Sequence, residues 1–150
     1  MSKLRQPNGD DHPDAARKHL DDASVLDRNG RPDGASYLAG YAVECSLKAV
    51  ICLEAFGLGI VAPRWQGPDG HNLKKLVGQL SSTSLVAGTA TARYLTPAVR
   101  SLPSTAMAAW DPVMRYRAPS MTGPDAAAWL GEAQLVYEST VGKMFLDGVL

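Results

Sequence analysis

A chain of 150 residues, 45% hydrophobic and 20% charged, has the size and composition of one globular domain that buries about two-thirds of its unfolded surface. Its formal net charge is zero, and no apolar run approaches the roughly 18 residues of a membrane span. The opening MSKLRQPNGDDHPD lacks the apolar core of a secretory signal, so a cytoplasmic protein with no membrane contact is expected.

The first eleven residues are polar and contain glycine, which predicts a flexible tail ahead of a single domain over residues 12–150. A first helix is expected from about Pro13, with Ala16, Leu20, Ala23 and Leu26 as its apolar stripe and Asn29-Gly30 as its stop. The acids Asp21, Asp22 and Asp27 then face solvent. The short turn Gly30-Arg31-Pro32-Asp33 makes the next helix its antiparallel neighbour.

That second helix, Asp33 to Phe56, dominates the pattern. Apolar or small residues recur at Ala35, Leu38, Ala42, Cys45, Ala49, Cys52 and Phe56, and a second row holds Val43, Leu47, Val50 and Ile51. Little of the circumference stays polar, so the helix is central and mostly buried. Cys45 and Cys52, the only cysteines, lie on it about 10 Å apart, too far for a disulfide. They read as reduced core residues.

Gly57 and Gly59 end this helix, and a loop with Pro63, Trp65, Gly67 and Pro68 follows. Asn72 caps a third helix whose stripe is Leu73, Leu76, Val77 and Leu80, with Lys74 and Lys75 pointing away from it. A helix over roughly 84–95 is expected next, then broken turns around Pro97 and Pro103. Trp110-Asp111-Pro112 and Ala118-Pro119 bracket a compact connection, Val113 to Arg117. The last helix begins near Pro124 behind Thr122. It carries Trp129, Ala133, Val136, Thr140 and Met144 in one row and Leu130, Tyr137, Val141 and Phe145 in the next. No stretch alternates convincingly with period two. The expected fold is all-α: an up-and-down bundle of four to five helices with additional short ones.

Charge is uneven. Residues 57–122 hold seven basic side chains against two acidic ones, whereas residues 123–150 hold one against four. This is either a solvated surface or a basic face for an anionic partner such as nucleic acid or a nucleotide. No phosphate-binding glycine loop, zinc-spaced cluster or nucleophile elbow is present, and His12, His19 and His71 are scattered along the chain. Neither a metal nor a cofactor is expected.

The sharper signals are charges on apolar elements. Glu44 and Lys48 stand one turn apart in the central helix, acid first, the favourable order. They read as a partly exposed pair on the bundle seam, or as a pair that orients a basic group or sets Lys48 against a phosphate. A buried charge there needs a partner. His71 reads as a helix-start residue or as a catalytic base. Arg115 and Arg117 beside Trp110 and Tyr116 suit stacking and phosphate contact, or a tie to backbone carbonyls or Glu44.

YLAGYAVECSLKAVI resembles the second helix of the HEPN family, all-helical domains that associate with nucleotides or RNA. DAARKHLDDASVL resembles that family's first helix, HNLKKL its His-Asn-Leu element, and WDPVMRYR followed by PDAAAWLGEA its Trp…Arg-Tyr element and closing helix. The resemblance spans roughly residues 12–147 in the expected order. It implies a bundle that dimerises. Many members are metal-independent ribonucleases of toxin–antitoxin, CRISPR or phage-defence systems. Their catalytic signature is an arginine followed, after four to six residues, by a histidine.

This chain has no histidine after His71, and Arg64 to His71, which has a matching spacing, falls in the loop before the third helix. The resemblance therefore points to branches that lack the signature and bind RNA or a nucleotide, some with a nucleotidyltransferase-type partner. The binding residues it implies are Glu44, Lys48, Lys74, Lys75, Arg115, Tyr116 and Arg117. A metal-independent ribonuclease using His71 with Arg64 or Arg115 is the first alternative. A structural interaction module within a larger complex is the second.

Overall fold

The computed structural model of the chain describes residues 1–65, 67–83 and 91–150, apart from the side chain of Thr83. Among these residues every regular element is helical, in agreement with the all-α expectation. α1 spans His12–Arg28, α2 Pro32–Gly57, α3 Leu73–Thr83 and α4 Pro97–Ser101. The closing helix is α5, Gly123–Tyr137, which passes through a π-helical turn at Glu138–Gly142 into a final turn, α6, at Lys143–Leu146. Taken as one, α5 and α6 make five helices among the described residues. Short 3-10 turns at Pro68–His71, Ala92–Tyr94, Leu102–Ser104, Ala106–Ala109 and Pro112–Tyr116 fill the connections.

Local chemistry sets the helix ends. The Asp11 side chain accepts the Asp14 N–H at the start of α1, and Asn29 and Gly30 (φ 65°) stop it. Asn72 Oδ1 accepts the Lys75 N–H at 3.0 Å, so Asn72 caps α3. Thr122 and Asp125 form a reciprocal capping box at the start of α5.

α1 and α2 are antiparallel. Leu26 packs beside Gly34, the His19 ring lies 5.4 Å from that of Tyr41, and His12 faces Lys48 across a shared cavity. α2 lies at the centre, with α1 and α5 against it. The main core joins Leu47 and Val50 of α2 to Leu76 of α3, Tyr94, Met107, Trp110, and Trp129 and Val136 of α5. A smaller cluster, Ala16, Cys45, Ala49 and Val141, seals α1 and the π turn against α2. Both cysteines are buried and free, and burial pushes each thiol up to about 12, which leaves them inert as nucleophiles near neutral pH. Among the described residues no helix is long and apolar enough to cross a membrane.

Several expectations change. Residues 1–11 do not hang free as a flexible tail. Leu4 is only 3% exposed and belongs to the main core, and Ser2 donates from its N–H and hydroxyl to Asp11, each at 2.7 Å. One apolar anchor and a doubly used capping carboxylate hold the segment down. Phe56 is exposed because the apolar row of α2 outruns the bundle by its last residue. Phe145 is also exposed: the π turn shifts the register of the last turn, keeping Met144 inside and turning Phe145 out. Most of the helix expected over 84–95 lies outside the described residues. Its described end is a 3-10 turn at Ala92–Tyr94.

Candidate functional site

The third turn of α2 begins the site. Gly40 there has no room for a side chain, since a Cβ would come within 2.0 Å of the Trp110 indole. Trp110 therefore lies directly on the α2 backbone and donates its Nε1–H to the Tyr37 carbonyl at 3.0 Å. That contact fixes the connection Pro112–Tyr116 beside α2. Tyr41 packs edge-on against Trp110 (4.9 Å) and Tyr37 (5.1 Å), and its hydroxyl accepts from Tyr37 at 3.3 Å. Burial, aided by Tyr37, pushes the Tyr41 phenol well above its usual range, so it stays protonated.

One turn further, Glu44 and Lys48 are both buried. Lys48 Nζ donates to Glu44 Oε1 at 2.6 Å, and the second carboxylate oxygen, Oε2, meets His71 Nδ1 at 2.9 Å. The pair is thus not a partly exposed seam pair. It is a three-group chain, Lys48–Glu44–His71, buried at Lys48 and Glu44 and half-buried at His71, that ties α2 to the turn before α3. Arg115 meets Tyr37 and Tyr116 instead of Glu44. With Glu44 ionised, His71 donates through Nδ1–H and its Nε2 remains available for a second partner. A carboxylate that fixes the orientation and tautomer of an imidazole is how a histidine is prepared as a proton acceptor. The same bond also braces α3 against α2.

Two cavities flank this chain. The first, about 340 Å³, lies under the N-terminal segment and is walled by His12, Lys48, Arg64, Trp65 and the polar residues Gln6, Asn8 and Asp10. Lys48 Nζ also faces the Trp65 ring at 5.0 Å, and His12 meets that ring edge-on at 5.1 Å. The second cavity, about 430 Å³, is walled by His71, Asn72 and Lys74 on one side and Trp110, Asp111 and Val113 on the other. Tyr41 packs beside it, 6.3 Å from the His71 ring.

Arg64 and His71, paired by spacing in the sequence, thus wall different cavities with Glu44 and Lys48 between them. Arg115 is exposed. It lies 4.8 Å over Tyr116, and the Tyr37 hydroxyl beside it pushes its guanidinium further up. Tyr116 is exposed as well. Arg117 sits 4.0 Å from Asp111, and Lys75 is held by Asp69, so two of the expected cations are partly neutralised. Lys74, Arg64 and Arg115 form no ion pair among the described residues, and with Arg100, whose Nε–H goes to the Leu95 carbonyl at 2.8 Å, they are the unneutralised charge of the basic middle segment.

Spacing did not reveal the convergence of the histidines. His12 and His19 lie seven residues apart on one face of α1, and that face meets Tyr41 and Lys48. His71 comes to the same stretch of α2 from the other side. Among the described residues the three do not form a group able to hold a metal ion. Tyr37 and Tyr41, two turns and one turn ahead of Glu44, were legible as a row at steps of four and three but carried no charge to mark them. Compared with known proteins, the chain matches no family model, no curated protein and no solved structure.

Proposed function

We propose that the chain is an HEPN-like RNA- or nucleotide-binding module. It acts as a homodimer with a partner protein, such as a nucleotidyltransferase, in a toxin–antitoxin or phage-defence type system. The observation that carries this reading is the cavity between α3 and the Trp110–Tyr116 connection. It brings His71 and Lys74 opposite Trp110, and Arg115 and Tyr116 follow on the same connection. Free cations beside the exposed Tyr116 ring suit a phosphodiester chain with unstacked bases. The resemblance of four sequence elements to the family, and the exposed apolar side chains Leu135, Phe145 and Leu146 at the closing helix, support the dimer and partner parts of the reading.

The bond between Glu44 and His71 favours a second reading, a metal-independent ribonuclease. Held by Glu44, His71 would take the proton of a ribose 2′-hydroxyl while Lys74 or Arg115 steadies the charge on phosphorus. One experiment addresses both. Labelled single-stranded RNA is bound across a salt series by filter binding, then incubated with the protein in EDTA. The first reading expects binding that weakens as salt rises, by a slope reduced by about one in Arg115→Ala. Absence of binding at the lowest salt overturns it. Cleavage that survives EDTA and disappears in His71→Ala replaces it with the second.

A further inference from the structure

Where α2 ends, four large apolar side chains stand in water within a short stretch: Phe56, Leu58, Ile60 and Val61, each more than half exposed. The backbone gathers them. Gly59 takes φ 67°, its N–H goes to the Phe56 carbonyl at 3.1 Å, and the Ile60 N–H goes to the Ala55 carbonyl at 2.9 Å. This Schellman pattern folds the chain back over the last turn, and Phe56, Ile60 and Val61 come to wall one groove of about 210 Å³. The N-terminal segment supplies further walls, with Leu4 buried and Lys3 and Arg5 exposed beside it. Lys3 Nζ donates to the Gly148 carbonyl at 3.3 Å and Arg5 Nη1 to the Met1 sulfur at 3.3 Å, and neither cation has an ion pair among the described residues. Among those residues no carboxylate lines the groove. The acids of the adjoining segments are engaged: Asp11 by Ser2, Asp10 by Asn8 and Glu54 by the Thr91 hydroxyl.

We infer that this groove docks an acidic segment of a partner protein, anchored by one large apolar or aromatic side chain. Apolar exposure clustered in this way marks a contact surface, whereas side chains scattered singly do not. The hollow takes one such side chain, an anchor that a peptide supplies and a flat bilayer surface does not. Lys3 and Arg5, with no acid beside them, leave a positive rim that carboxylates on the same segment complement. Phe56 lies twelve positions beyond Glu44, about 18 Å along the helix axis. The groove is therefore separate from the His71 face, and the inference does not depend on the RNA reading.

The test is selection of phage-displayed random dodecapeptides on the full chain, followed by the binding kinetics of the enriched peptides. These peptides are expected to combine Phe, Trp or Leu with several Asp or Glu. Lys3→Glu with Arg5→Glu should slow association by about tenfold and flatten its salt dependence. Phe56→Ser, a change at an exposed position, should speed dissociation by about tenfold at an unchanged urea midpoint. His71→Ala should leave both rates within about twofold of the original. No enrichment, enrichment of neutral or basic peptides, or indifference to both variants overturns the inference. So does binding to phosphatidylserine vesicles that Phe56→Ser abolishes when no peptide is enriched, which assigns the surface to a membrane. A fall in oligomeric mass in Phe56→Ser overturns it in favour of a second copy of the chain. RNA binding without an enriched peptide, or the reverse, tells which of the two surfaces fails.

Discussion

Glu44 is the residue on which the site depends. Its carboxylate is buried and shared between an ammonium at 2.6 Å and an imidazole at 2.9 Å. Two opposite charges taken out of water roughly offset their own desolvation, but one left alone does not. Glu44→Gln keeps the shape and removes the charge, leaving Lys48 buried without a counter-ion. It should cost about 3–5 kcal/mol, read as a lowered urea midpoint at unchanged slope. The double variant Glu44→Gln with Lys48→Met should recover most of that loss, since it leaves no buried charge. A double variant no more stable than Glu44→Gln alone would mean that the pair contributes by packing rather than charge. Half of this arrangement was legible in advance: acid before base at four residues on an apolar helix already demanded a partner for any buried charge. The third member was not, because His71 is 27 positions away and arrives only through the return of a loop whose path no periodicity encodes.

At the scale of elements, the decisive contact is backbone to ring. Trp110 sits on Gly40, where a Cβ would collide with the indole at 2.0 Å. Gly40→Ala improves helix propensity by nearly 1 kcal/mol, yet overpacking costs about 1–3 kcal/mol or more when neither backbone nor ring can yield. The variant should therefore be less stable than the original. It should also show altered Trp110 fluorescence and weaker RNA binding, because the Pro112–Tyr116 connection moves with the ring. Increased stability would show that Trp110 is free to swing away. The helices themselves were legible for local reasons: Asn72 and Thr122 announced starts, Asn29-Gly30 announced a stop, and the rows of α2 and α5 announced the core. What escaped was the register at the ends. Nothing in the spacing marked the π turn at Glu138–Gly142 that turns Phe145 outward, nor did it show that Leu4 would be drawn into the core from a polar segment.

For the molecule as a whole, the histidines of α1 set the response to acid. Burial first, and Lys48 second, hold His12 below its usual value of 6.5, and burial first, then Lys18, does the same for His19. In both cases the unfolded chain binds the proton more readily than the folded one. The stability they contribute is complete above the unfolded pKa, about 6.5, and is lost as the pH falls through the window below it. The urea midpoint should therefore fall between pH 7.5 and pH 5.5, and the fall should shrink in His12→Gln. A midpoint that stays level or rises over that interval contradicts this account. The shared carboxylate has a consequence on the same scale. Glu44 turns one oxygen to the Lys48 side and the other to the His71 side, so the two cavities are thermodynamic neighbours through a single group. An occupant that draws the ammonium away from Oε1 leaves more negative charge for the imidazole on Oε2. By reciprocity, an occupant that engages His71 alters the grip of Lys48 by the same free energy. α2 is then more than the structural centre of the bundle: it is a short electrical lever with its fulcrum at one side chain.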